Sequence, residues 1–146
     1  MTAADFCFIS GGVFFLTGLV TGTWKYRHTL VQPDARAPIY VDLAHRASLL
    51  YAFACALLAD LVSRSAWPDS VNLGAAILMV VFFAAPVLGY VIHGALRDTD
   101  NQLRRPHRLG SRIIPAGVML GFMSVLVVSE VGGFLVIMSG FVAARF

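Results

Sequence analysis

Charged side chains are scarce in this sequence. Asp, Glu, Lys and Arg make up 13% of the 146 residues, whereas 58% are hydrophobic, and the mean hydropathy is +0.78. So few charges cannot cover a soluble domain of this size. The net charge of +3 comes from residues concentrated between apolar runs, so it reports membrane topology and not nucleic-acid binding. The composition therefore predicts a helical protein embedded in a lipid bilayer, with no nucleic-acid partner.

Cysteines and catalytic motifs are also few. Cys7 and Cys55 lie in separate apolar runs without CxxC spacing, so they indicate no disulfide and do not report the redox compartment. The chain has no P-loop, dinucleotide fingerprint, HExxH motif or internal repeat. We expect no cleavable signal peptide, because Asp5 interrupts the start and the basic residues follow the first apolar run. Any chemistry must therefore come from isolated side chains in or beside the apolar runs.

Long apolar runs dominate what is present. A helix needs about 20 apolar residues to cross a bilayer, and the runs approximately at 6–24, 43–62, 71–96 and 113–144 meet this requirement. Gly18 and Gly22 form a small-xxx-small pair that allows another helix to approach closely. Pro33 and Pro38 exclude a regular helix from a loop at 27–41. We predict a single transmembrane domain over 1–146, an all-α, polytopic four-helix bundle.

The basic residues favour one side of this bundle. Four spans put the first and third loops on one side, and both termini with the second loop on the other. The side with both termini and the second loop carries only Arg64 and Arg145. The positive-inside rule predicts termini outside the cytoplasm, since the first side holds Lys25, Arg27, Arg36, Arg46, Arg97, Arg104, Arg105, Arg108 and Arg112.

A cluster of ionisable and aromatic residues marks the start of the second span. Asp42 and His45 share one helical face, and a carboxylate three residues before a histidine can fix the tautomer of its ring. In an antiparallel arrangement His45 and His93 lie at similar depth, and Tyr90 lies about 5 Å deeper than His93. We therefore predict one cavity lined by Asp42, His45, Tyr51, Tyr90 and His93. The alternative is that both histidines are interfacial and hydrogen-bonded to lipid headgroups.

A haem suits a single histidine beside a wide apolar surface, because it needs only one strong axial ligand. Asp42, His45 and His93 are the predicted cofactor-binding residues, with His45 as the metal ligand. An open sixth position would allow Lewis-acid chemistry, whereas ligation by His93 would favour electron transfer. Glu130 is the one acid deep inside an apolar run, where burial favours the neutral carboxyl. We expect the Glu130 carboxyl either to relay protons or to hydrogen-bond a neighbouring helix.

The layout resembles the styrene oxide isomerases, small four-span bacterial membrane enzymes related in plan to the hydroxylaminobenzene mutases. The resemblance lies in chain length, in a long first loop, and in the start of the second span, Leu43-Ala44-His45-Arg46-Ala47-Ser48. Gly89-Tyr90 matches, in its separation from His45, a catalytic tyrosine late in the family's third span. Tyr51 stands near the position of a family asparagine. A polar loop ending at Gly110 leads into the last span.

This resemblance implies a homotrimer in the bacterial inner membrane, with one haem b per subunit near the subunit interfaces and His45 as its axial ligand. Ferric iron would act as a Lewis acid on the oxygen of a small aryl epoxide such as styrene oxide. Ring opening and a 1,2-hydride shift would give an aldehyde, the Meinwald rearrangement. Tyr90 would hydrogen-bond the epoxide oxygen, and Tyr51 is the second predicted catalytic residue.

Two other functions are compatible with the residues. A non-catalytic membrane subunit or scaffold of a larger complex would explain the glycine pairs and Glu130 without a cofactor. An electron-transfer cytochrome would use both His45 and His93 as axial ligands.

The membrane orientation differs from what the resemblance implies. Basic residues in the styrene oxide isomerases favour cytoplasmic termini, opposite to the orientation that the charges predict here.

Overall fold

A computed structural model describes residues 1–146 and shows four long helices. Helix α1 spans Ala3–Val31, α2 spans Ile39–Ser63, α3 spans Asp69–Leu96 and α4 spans Ala116–Ala143. Each helix carries a stretch long and apolar enough to cross a membrane. The predicted all-α, four-helix architecture is confirmed, and the chain is a multi-pass membrane protein.

Local sequence explains where the helices begin. Pro38, Pro68 and Pro115 immediately precede α2, α3 and α4, with φ between −52° and −57°. Proline has no N–H to leave unpaired, and its φ is already close to the helical value. Helix α1 begins with a capping box, in which Thr2 and Asp5 each accept a backbone N–H of the other.

The predicted spans need correction at their ends. Helix α1 continues to Val31, so the first connection covers 32–38 and not the predicted 27–41. Lys25 and Arg27 lie within this extension, where long stems let a charged head reach water from a continuous helix. The last helix begins at Ala116 and not near 113, because a strand pair occupies the preceding residues.

Glycines on α1 bring α2 unusually close. A Cβ at Gly18 would lie 2.6 Å from Cδ2 of Leu49, and one at Gly22 would lie 2.8 Å from Cε1 of His45. Side chains of α2 therefore occupy the space that these glycines leave open. The predicted close helix approach at this pair is confirmed, and it fixes the position of His45.

The core lies between the first three helices, with α4 added at one edge. Its fifteen buried apolar residues include both cysteines, which are free, and Ile137 from α4. Gly133 brings α4 against α3, since a Cβ there would lie 2.6 Å from Cγ of Met79. The buried residues of α4 begin at Ser129, so the helix has no buried residue before its midpoint.

A β-hairpin that the sequence did not reveal joins α3 to α4. Strand β1 (His107–Leu109) pairs antiparallel with β2 (Arg112–Ile114), and Gly110 turns with φ of +60°, a conformation that favours glycine. The Tyr40 hydroxyl of α2 accepts the Gln102 N–H and so ties this connection to the bundle.

The first and third connections lie at the same end of the bundle, as predicted. The Arg97 side chain after α3 comes within 3.4 Å of the His28 ring near the end of α1. At the opposite end, Asp69 accepts the Ala3 N–H at 2.9 Å, and Trp67 Nε1–H donates to Ser139 Oγ at 3.0 Å. Most of the basic residues therefore lie at one end of the bundle, with Arg64 and Arg145 at the other.

Candidate functional site

The His45 ring lies at the α1–α2 seam. Its Nδ1 is 2.8 Å from the Gly18 carbonyl oxygen, which can only accept a hydrogen bond, so Nδ1 carries the proton. Because Gly22 has no side chain, the edge of the His45 ring that carries Nδ1 and Cε1 packs directly against the Gly22 backbone. In the neutral imidazole the second nitrogen, Nε2, then carries the lone pair, which is the atom that a metal or a proton would bind.

Asp42 does not orient His45, and this part of the sequence prediction is wrong. Its carboxylate lies 2.5 Å from Lys25 Nζ and 3.4 Å from Arg46 Nη1. The extension of α1 places Lys25 beside the start of α2, where an oppositely charged partner is available. The Gly18 carbonyl performs the orienting role that was predicted for Asp42, and Asp42 joins α2 to α1.

His93 has the carboxylate partner that was predicted for His45. Its Nδ1 donates to Asp98 Oδ1 at 2.8 Å, and both side chains are more than nine-tenths buried. Gly110 N–H donates to the other Asp98 oxygen, and the Tyr40 ring centroid is 5.0 Å from that of His93. Sequence reasoning missed Asp98. The available signal was a histidine in the last turn of a helix followed by an aspartate just beyond it.

Burial and hydrogen bonding act in opposite directions on Asp98. Burial raises the pKa of its carboxyl, but the hydrogen bonds from His93 and Gly110 stabilise the anion and lower the pKa below its ordinary value overall. Asp98 is therefore a stable carboxylate at neutral pH. It connects the end of α3 to the hairpin.

A cavity of about 330 Å³ lies beside His93. Of the five residues predicted to share one pocket, only His93 lines it, together with Pro38, Ile39, Tyr40, Gly94, Arg97, Asp98, Thr99 and Asp100. The other four lie elsewhere. The expected single pocket is therefore not formed, because His45 faces α1 whereas His93 faces the connection after α3.

Tyr51, Tyr90 and Glu130 lie partly buried on three different helices, α2, α3 and α4. The Tyr51 ring stacks on Phe83 with centroids 4.3 Å apart. The Tyr90 ring lies 5.8 Å from Tyr40. Glu130 of α4 lies within electrostatic range of both Tyr51 and Tyr90, and its buried Oε1 has no hydrogen-bond partner. Buried polar atoms are normally paired, so this unpaired oxygen marks a polar region among apolar side chains.

This polar region and His45 are separate along α2. Tyr51 follows His45 by six residues, which is about 9 Å along the helix axis. The sequence had indicated Glu130 as an isolated acid. It gave no signal that α4 would bring this acid to the two tyrosines.

The protein's own side chains offer no complete site for a bare metal ion. No group of three or more His, Cys, Asp or Glu residues is arranged to hold one. A single free histidine nitrogen is instead the donor set that a porphyrin-bound iron requires, since the porphyrin supplies four further nitrogens. His45 Nε2 has no hydrogen-bond partner within the protein, whereas Nδ1 is paired with Gly18.

Comparisons with protein-family models, curated proteins and solved structures returned no match to this chain.

Proposed function

We propose that the protein is a haem b-dependent membrane isomerase that converts a small aryl epoxide, such as styrene oxide, into the corresponding aldehyde. The tautomer of His45 carries the proposal. Nδ1–H donates to the Gly18 carbonyl at 2.8 Å, which in the neutral imidazole places the lone pair on Nε2, and histidine ligands to metals are oriented in this way. His45 would hold the haem iron through Nε2.

The surroundings of His45 support a flat, apolar cofactor. His45 is only partly buried, at the contact between two membrane-spanning helices. Leu19, Val20 and Leu50 on the same helices are more than half exposed and offer an apolar surface to lipid or to a prosthetic group. We propose that the haem lies near subunit interfaces of a homotrimer, in the inner membrane of a bacterium.

Side chains of the protein itself would bind and orient the substrate. A bound ferric haem supplies a Lewis acid for opening the epoxide and for the 1,2-hydride shift to the aldehyde. Tyr90 would donate a hydrogen bond to the substrate oxygen, and Tyr51, whose ring stacks on Phe83, is the second proposed catalytic residue.

The His45 contact also favours a second candidate, a non-catalytic membrane subunit. A histidine that donates a hydrogen bond to a neighbouring helix stabilises helix association in a bilayer, on average by about 0.6 kcal/mol. The fit of His45 over Gly22 serves this purpose without any cofactor. A measurement of haem binding distinguishes the isomerase, which requires haem, from the non-catalytic subunit, which does not.

Turnover of a labelled epoxide tests the proposal. Haem-loaded protein in detergent is incubated with styrene oxide carrying two deuterium atoms on its terminal carbon. A 1,2-shift predicts phenylacetaldehyde with both deuterium atoms retained, one on each side-chain carbon. His45→Ala should give no aldehyde above haem alone, whereas His28→Ala, a control at the bundle surface, should remain active.

Formation of a diol, or loss of deuterium to water, would contradict the hydride shift. Equal activity of His45→Ala and the native protein would exclude His45 as the ligand. A native protein that folds, binds no haem and forms no aldehyde would favour the structural subunit.

A further inference from the structure

A charged cavity lies in the connection between α3 and α4. Its volume is about 240 Å³, and no hydrophobic residue lines it. We call it the arginine cavity. Its lining residues are Asp98, Thr99, Asp100, Arg104, Arg105, Pro106 and Arg108.

The carboxylates of the arginine cavity already have partners. Both Asp98 oxygens accept hydrogen bonds, one from His93 and one from Gly110. Asp100 forms a two-point ion pair with Arg104, with N–O distances of 2.9 and 3.3 Å. These contacts fix the wall of the cavity and neutralise one of its three guanidinium groups.

Arg105 and Arg108 remain without a carboxylate partner, since neither belongs to any ion pair of the structure. Two uncompensated guanidinium groups therefore line one small polar space. Planar guanidinium groups bind phosphate oxygens through paired hydrogen bonds. The missing partner is an anion of phosphate type.

The position of the cavity favours a lipid over a free ion. It lies just beyond the end of α3 at Leu96 and before the start of α4, which is headgroup level for two membrane-spanning helices. Exposed apolar residues neighbour its arginines: Leu103, 51% exposed, precedes Arg104 in the chain, and Ile113, 63% exposed, pairs with Arg108 in the hairpin. Such side chains insert among acyl chains while arginines beside them contact headgroups.

We propose that the arginine cavity is a binding site for the phosphate group of an anionic phospholipid, contacted by Arg105 and Arg108. The wall held by Asp98, His93 and Asp100 shapes the site before the lipid binds. This site is separate from the proposed haem ligand and does not depend on the isomerase proposal.

Native mass spectrometry of the full-length protein in detergent tests the site. The protein is titrated with dioleoylphosphatidylglycerol or with dioleoylphosphatidylcholine, which have the same acyl chains. Two arginine contacts predict roughly 30-fold tighter binding of the phosphatidylglycerol. Arg105→Gln with Arg108→Gln should reduce its affinity to that of phosphatidylcholine. Arg36→Gln with Arg112→Gln removes the same charge at the same end outside the cavity, and should retain the preference.

Three results would overturn the proposal. Equal binding of both lipids to the native protein would mean that no anionic site exists. An equal loss in the Arg36 and Arg112 control would mean that general surface charge attracts the lipid. Displacement of the phosphatidylglycerol by excess inorganic phosphate would assign the cavity to a soluble anion. The native protein's lipid preference decides the question even if the cavity variant fails to fold, as circular dichroism would show.

Discussion

Gly22→Ala should destabilise the bundle, because Gly22 provides the space for the His45 ring. A Cβ at this position would lie 2.8 Å from Cε1 and 2.9 Å from Nδ1 of His45. The imidazole is rigid, and its Nδ1 donates to the Gly18 carbonyl. The ring must therefore rotate away, and its hydrogen bond is lost.

Three terms set the size of this effect. Overpacking costs about 1–3 kcal/mol, and an interhelical hydrogen bond in a membrane protein contributes about 0.6 kcal/mol. Alanine is a better helix former than glycine by about 1 kcal/mol, which offsets part of the loss. The expected net destabilisation is roughly 1–2 kcal/mol.

Unfolding by sodium dodecyl sulfate in mixed micelles, followed by far-ultraviolet circular dichroism, measures this change in the free energy of unfolding. Gly12→Ala is the matched control on α1, because a Cβ there meets nothing within 4 Å. This control should be neutral or slightly stabilising.

A double-mutant cycle isolates the contact. In a His45→Ala background the ring is absent, so Gly22→Ala should behave like Gly12→Ala. The reasoning is refuted if Gly22→Ala costs the same with and without His45, or if it is as neutral as the control in the native background.

Three further predictions follow from other contacts. The pKa of Asp98 lies below its ordinary value of 3.8, so its contribution to loop stability is present at neutral pH and is lost as the pH falls below that value. The NMR resonance of the Gly110 amide should shift in this range, and Asp98→Asn should abolish the pH dependence; an unchanged native resonance in acid would contradict this. Trp67→Phe removes the 3.0 Å hydrogen bond to Ser139 and should lower the free energy of unfolding by about 0.5–1 kcal/mol, an effect that Ser139→Ala should abolish in a double-mutant cycle. If the isomerase proposal holds, Tyr90→Phe should lower kcat about 100-fold and leave the haem spectrum unchanged, whereas unchanged turnover would exclude Tyr90 from catalysis.

The architecture could be predicted from the sequence because the membrane imposes strong and simple constraints. Apolar runs of sufficient length predict spanning helices, and the fit of Leu49 and His45 over Gly18 and Gly22 follows from a small-residue spacing. The helix ends were harder to predict. Helix α1 runs on through Lys25 and Arg27, since charged residues end a hydrophobic run without ending a helix.

The partners of the site residues could not be predicted from local spacing. Asp42 and His45 share a helical face, yet Lys25 on a neighbouring helix attracts the Asp42 carboxylate. His93 pairs with Asp98 because the chain turns back after α3, with Arg97 in the left-handed conformation. Which carboxylate meets which histidine depends on helix packing and on the path of one connection, and sequence periodicity encodes neither.

The absorption spectrum of haem-loaded, detergent-purified protein, recorded beside His45→Ala and His93→Ala, tests the role of His45 most directly. We predict an intense Soret band in the native protein and in His93→Ala, and its loss in His45→Ala, because His45 Nε2 is the proposed ligand. A Soret band that survives in His45→Ala, or a native protein that stays colourless after expression with ample haem, would contradict the proposed function.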